Sequence, residues 1–131
     1  MIAARLRRTA LALAAAFIAF AGTASLPGNA DAGEFVMFEE PGCTWCATWQ
    51  NEIGVVYDKT EEGRRAPLRR VDKTAERPAD LAAIEKVLFS PTFVLVEDGA
   101  EIGRIVGYPG EHFFWPMLQE LLARLDSPPS S

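Results

Sequence analysis

Two cysteines and one histidine are all that this 131-residue chain has of the side chains that most often hold metals. Two cysteines do not staple a small exported domain, which needs several bridges. A closed zinc site takes four ligands, and no second cysteine pair or histidine pair is present to complete one. Positive charge is also short: 13 Lys and Arg stand against 18 Asp and Glu, a net charge of −5. An acidic surface argues against nucleic acid and against anionic membranes as partners. No apolar run approaches the roughly 20 residues that span a bilayer, and no internal repeat is visible.

The apolar run that does exist, Ala10–Ala21, follows a basic stretch holding Arg5, Arg7 and Arg8. Its length is that of a signal-peptide core rather than a membrane span. Pro27 and Gly28 break it, and Ala30-Asp31-Ala32 has the small-x-small pattern read by signal peptidase. Cleavage after Ala32 would leave a chain beginning at Gly33, with cleavage after Ala24 as the alternative. The residues around Arg7-Arg8 do not otherwise fit a twin-arginine signal, so ordinary secretion is expected. Removing three arginines and Asp31 leaves 10 basic against 17 acidic residues, a net charge of −7. The expected organisation is a signal peptide over 1–32, one domain over 33–126 and a disordered polar tail over 127–131.

The stretch around which the domain is organised reads Phe35-Val36-Met37-Phe38-Glu39-Glu40-Pro41-Gly42-Cys43-Thr44-Trp45-Cys46. An apolar run, a Pro-Gly turn and Cys-x-x-Cys describe a strand feeding a helix that opens with two thiols. Two intervening residues on a first helical turn bring both sulfurs within bonding reach. The free N–H groups and positive dipole end of a helix start favour an anion, and the thiolate is the form of cysteine that attacks disulfides. The pattern predicts a redox dithiol in which Cys43 attacks and Cys46 resolves. Its pairing with no other cysteine makes exchange, or Cu(I) or Zn²⁺ ligation by two thiolates, the chemistries to weigh. A purely structural Cys43–Cys46 bond gains little, because so short a loop restricts the unfolded chain little.

Along the chain, Glu34–Phe38 reads as a central strand. A helix follows from about Cys43 to Thr60, with Trp49, Ile53, Val56 and Tyr57 as its buried stripe; Gly54 interrupts the pattern and Gly63 is a stop signal. Pro67–Asp72 suits an edge strand. Asp80 caps a second helix through Leu81, Ile84, Val87 and Leu88. Thr92–Val96 is the clearest strand, and Asp98-Gly99 turns it into a partner over Glu101–Val106. A last helix, Glu111 to Leu125, buries Phe114, Met117, Leu118, Leu121, Leu122 and Leu125, with its regular part beginning near Trp115 because of Pro116. Trp49 and Trp115 fall at core spacing. The order is βαβαββα: an α/β domain with a four-stranded mixed sheet and helices on both faces.

That order, with Cys-x-x-Cys opening the first helix and Ser90-Pro91-Thr92 before the third strand, resembles the minimal thioredoxin fold over nearly all of residues 34–125. The resemblance implies that the Ser90–Pro91 bond is cis and lies against the dithiol. It also implies that Ser90 and Thr92 pair through their backbones with an extended substrate segment. Phe38–Cys46, Ser90–Phe93, and Gly107-Tyr108-Pro109-Gly110 with Phe113-Phe114-Trp115 are similar to exported thioredoxin-like proteins of bacterial sulfur-oxidation (Sox) systems. This narrower likeness implies a periplasmic monomer that needs no bound cofactor. It would reduce a protein disulfide, such as that of a carrier protein, with electrons from a membrane dithiol transporter; the alternative is a disulfide oxidase or isomerase with the same residues working in reverse. The chain departs from cytosolic thioredoxins in placing Thr44-Trp45 between the cysteines and Met37 where they carry a buried aspartate. That leaves Glu39, Glu40 or water to take the proton of the resolving thiol.

Glu39 and Glu40 would oppose a thiolate if they face it, and no lysine or arginine adjoins the motif in sequence. The expected potential therefore lies nearer about −270 mV, the thioredoxin value, than about −120 mV, the strong-oxidant value. Trp45 is expected to be exposed, either touching a partner or shielding Cys46. Tyr108-Pro109-Gly110 is either a plain turn or a loop near the dithiol. His112 is expected to face solvent rather than to shuttle protons.

Overall fold

The computed structural model describes residues 33–127, so the expected signal peptide and residues 128–131 of the expected tail lie outside the described part. Ser127, which was expected to begin that tail, is tied back to the last helix through Ala123 and Arg124. Four strands form one sheet in the order β2-β1-β3-β4: β1 (Glu34–Glu39), β2 (Leu68–Asp72), β3 (Thr92–Glu97) and β4 (Ala100–Val106). β2 runs parallel to β1, while β3 pairs antiparallel with both β1 and β4. β1 and β3 are central and buried on both faces, which is why both read as continuous apolar runs. The β3–β4 turn places Asp98 at φ 50° and Gly99 at φ 77°, the left-handed pair that a two-residue hairpin requires.

Alternation along β1 divides the core into two layers. Phe35 and Met37 face one layer, with Trp49, Ile53, Tyr57, Phe93, Phe114 and Leu118; Val36 and Phe38 face the other, with Leu81, Ile84 and Val87. The first layer is covered by the helix carrying the cysteines and by α4 (Glu111–Leu125). Trp49 is fully buried at its centre, and its burial contributes about 2–3 kcal/mol.

The cysteine helix is not uniform. It is α-helical over α1 (Thr44–Trp49), widens to a π-helix over Gln50–Gly54 and resumes as α2 (Val55–Tyr57). Trp49, Ile53 and Tyr57 are spaced by four residues and are all buried. In an α-helix each step of four overshoots a full turn by about 40°; the wider π turn keeps such residues in file. One expected member of the stripe, Val56, is rotated out and is 40% exposed. A separate short helix follows, α3 (Glu61–Arg65), capped by the Thr60 hydroxyl, which accepts the Gly63 N–H at 3.0 Å. Gly63 is therefore inside a helix and not a stop.

The helix expected from Asp80 to Leu88 shrinks to one 3₁₀ turn, Ala79–Leu81, followed by irregular chain. Leu81, Ile84 and Val87 still seal the second face, at a spacing of three. Carbonyls of this irregular stretch are taken by cationic side chains. Arg77 donates to Ile84 and Glu85, Arg104 to Glu85 and Lys86, and Lys73 to Leu88. Helix α4 begins at Glu111 despite Pro116, and Met117 is 40% exposed where burial was expected. Trp115 is only half-buried, stacked on Tyr57 at 6.4 Å.

Candidate functional site

Glu40-Pro41-Gly42-Cys43 is a turn closed by the Cys43 N–H donating to the Glu40 carbonyl at 3.3 Å. Proline at its second position and Gly42 at φ 76° are the residues a type II turn demands. The turn delivers Cys43 to the N-cap of α1, where its Sγ accepts the Cys46 N–H at 3.1 Å. A sulfur thus occupies the place where a helix start stabilises negative charge. Cys43 and Cys46 are joined by a disulfide, with an S–S distance of 2.07 Å and a Cα–Cα distance of 5.2 Å. Cys46 is buried at 4% exposure, while Cys43 is partly open and Trp45 between them is 61% exposed. Trp45 therefore stands out into solvent.

The Ser90–Pro91 peptide bond is cis, as the family resemblance implied. The Pro91 carbonyl is occupied by the Gly107 N–H at 2.7 Å, and Pro91 itself is buried. Ser90 has no backbone–backbone hydrogen bond among the described residues, and its buried hydroxyl is unpartnered there. Thr92, expected beside it as a docking residue, is turned inward at 1% exposure. Its hydroxyl donates to the Phe89 carbonyl at 2.8 Å, and its backbone lies between Phe38 and Val106 in the sheet. Only Ser90 of the two keeps its backbone open. The chain just before it is apolar and uncovered, with Leu88 at 61% and Phe89 at 63% exposure.

An open groove of about 540 Å³ runs beside the disulfide, lined by Glu39, Glu40, Cys43, Cys46, Gln50 and Arg70 among others. Both carboxylates have partners. Arg70 grips Glu39 through two hydrogen bonds of 3.0 and 2.9 Å and also donates to Gln50. Lys73 pairs with Glu40 at 3.3 Å. The expectation that no cation adjoins the motif is thus corrected: strand pairing, not sequence proximity, brings two of them to it. Arg70 sits in register beside Met37 on the neighbouring strand. The sequence signal was the alternation of Arg69 and Arg70 along β2, which sends only one of them to the cysteine face. Met37 is fully buried in the core and offers no base.

The Tyr108-Pro109-Gly110 loop adjoins the proline: Gly107, just before it, donates to the Pro91 carbonyl, and Tyr108 belongs to the core layer that holds Cys46. Tyr108 is buried against Phe114 and its hydroxyl donates to Glu52 at 2.5 Å. Burial, with that carboxylate, pushes the Tyr108 phenol above the ordinary tyrosine range. His112 is exposed at the start of α4. Among the described residues, no group of three or more His, Cys, Asp or Glu is placed to share a metal ion, and no helix is long and apolar enough to cross a membrane.

A four-stranded mixed sheet, a dithiol opening the first helix and a cis-proline entering the third strand define a thioredoxin-like redox protein. Comparison with solved structures agrees. The chain is similar to the periplasmic thioredoxin SoxS of Paracoccus pantotrophus in its reduced form. The two are 47% identical over 70% of this chain and 97% of that one, with a TM-score of 0.68. The fold is also shared with a thioredoxin of Malassezia sympodialis, at 22% identity over 70% of this chain and 76% of that one, with a TM-score of 0.53. No family model and no curated protein matches. The chain belongs to the thioredoxin family and stands close to the thioredoxins of Sox systems. Its cysteine pair gives it a thiol–disulfide redox function.

Proposed function

We propose that this protein is an exported, periplasmic thiol–disulfide oxidoreductase that reduces disulfides of a partner protein, a sulfur-oxidation carrier being the leading candidate. The observation that carries the reading is the asymmetry of the pair: Cys43 is accessible at a helix N-cap, and Cys46 is buried behind it. In the reduced protein the Cys43 thiolate attacks one sulfur of the partner disulfide, and the other leaves as a thiolate that takes up a proton. Cys46 then loses its proton and attacks Cys43, releasing the second partner thiol and forming the Cys43–Cys46 disulfide. Two electrons from a membrane dithiol donor restore the start. Ser90 offers its backbone to the visiting segment, Pro91 fixes the chain beside it, and Trp45 supplies an apolar contact. The likeness to a periplasmic thioredoxin supports the location.

Trapping tests the reading. Cys46→Ser should accumulate a mixed disulfide on Cys43 when expressed with the periplasmic proteins of its host, and that adduct should vanish in the Cys43→Ser/Cys46→Ser double variant. Cys43→Ser, which keeps Cys46, should trap far less; adducts in equal amount from Cys43→Ser and Cys46→Ser would remove Cys43 from its place as the attacking sulfur.

A further inference from the structure

The segment that leads into the cis-proline is irregular, so something other than a helical ladder must fix it. Arg77 and Arg104 hold carbonyls from Ile84 to Lys86. Beyond them, the last tether before Phe89 is Lys73. Its Nζ donates to the Leu88 carbonyl at 3.1 Å and pairs with Glu40 at 3.3 Å. Its own N–H donates to the Glu39 carbonyl at 2.8 Å, which pins its backbone to the end of β1. The Lys73 side chain is only 16% exposed, so both contacts are partly shielded from water. One ammonium therefore spans two walls: the turn that delivers Cys43, and the loop that delivers Ser90 and Pro91. In the oxidoreductase reading, a partner's chain meets both walls when its disulfide reaches Cys43.

We propose that Lys73 is a positioning residue that sets the gap between the cysteine turn and the proline loop, and thereby the affinity for an extended, disulfide-bearing protein segment. The proposal rests on the oxidoreductase reading above. Ammonium suits the task because it has three donors and can serve a carboxylate and a carbonyl at once. Without it the Leu88 carbonyl and the Glu40 carboxylate lose their common partner. The loop, whose Leu88 and Phe89 side chains are largely in solvent, then samples positions that do not match the turn.

The test compares Lys73→Met, which keeps the aliphatic stem, with Lys73→Arg, which keeps donors for both walls. Each is assayed with dithiothreitol as electron source against insulin, a protein disulfide, and 2-hydroxyethyl disulfide, a small one that dithiothreitol alone reduces slowly and that needs no docked chain. Lys73→Met should raise KM for insulin about fivefold more than for the small disulfide, the net effect of one ordinary hydrogen bond, with kcat little changed. Amide exchange over residues 86–90 should accelerate in parallel, and Lys73→Arg should restore both. The Lys73→Met/Glu40→Gln variant, in which no carboxylate is left unpaired beside Cys43, should retain the KM effect. An unchanged insulin KM, a rise equal for both disulfides, or unaltered exchange would each overturn the proposal. If the wild-type chain reduces neither disulfide, the oxidoreductase reading itself fails, and the exchange arm still shows whether Lys73 orders the loop.

Discussion

Replacing Arg70 by Met asks whether the cation that the second strand brings to the groove is felt by the dithiol. Arg70 and Glu39 make a two-pronged pair whose side chains are 39% and 28% exposed, in the groove that Cys43 and Cys46 also line. Removing the guanidinium leaves the Glu39 carboxylate uncompensated beside the sulfurs. An uncompensated anion disfavours a thiolate, so the reduced form loses stability relative to the disulfide and the potential becomes more negative. With exposure this high, solvent screening discounts the effect to about 0.5–1 kcal/mol. At about 30 mV per 1.4 kcal/mol for a two-electron couple, that is about 10–20 mV. Equilibration in glutathione or dithiothreitol buffers at neutral pH, read by tryptophan fluorescence, measures it. Repeating the titration near 1 M salt, where screening acts within about 3 Å, should shrink the difference. A shift toward positive potential, or one indifferent to salt, would refute the electrostatic reasoning. A wild-type value near the strong-oxidant end would instead turn the proposed reductase into an oxidase.

Two further perturbations test the frame that holds the site. Tyr57→Phe removes the buried hydroxyl that donates to the Ala66 carbonyl at 2.7 Å. An abandoned buried carbonyl costs about 1–3 kcal/mol, so thermal unfolding of the oxidised protein should fall by at least about 4 °C; an unchanged midpoint would mean that water replaces the donor. Glu101, hydrogen-bonded by Arg104, has its carboxyl held below the ordinary carboxylate range. A depressed folded value contributes stability that is present above the unfolded value, about 4.3, and lost as pH falls through the folded one. The stability difference between wild type and Glu101→Gln should therefore narrow below about pH 4, as followed by urea unfolding; a gap that widens in acid contradicts the pairing.

The strands and the cysteine turn were legible in the sequence because local chemistry decides them. Short apolar runs, Pro41-Gly42 and Asp98-Gly99 each admit few backbone shapes, and α4 spans the expected Glu111–Leu125, although it is regular from Glu111 and not from near Trp115. What was not legible is decided by residues distant in sequence. The second helix gives way to an irregular stretch whose carbonyls are held by Lys73, Arg77 and Arg104, none of which belongs to that segment. Gly63 looked like a helix end, yet its lack of a side chain serves a close approach: a Cβ there would lie 1.9 Å from the Tyr57 carbonyl oxygen. The two cations near the dithiol come from β2 and the residue after it, so only strand pairing could reveal them. Thr92, placed at the docking ledge by family likeness, is claimed by the sheet.

The division of labour between the two sulfurs is tested most directly by alkylating the fully reduced protein with less than one equivalent of iodoacetamide near neutral pH and locating the label by peptide mass spectrometry. The sulfur at the N-cap should carry nearly all of it, leaving Cys46 free. Label shared equally, or found mainly on Cys46, would contradict the assignment of Cys43 as the attacking thiolate.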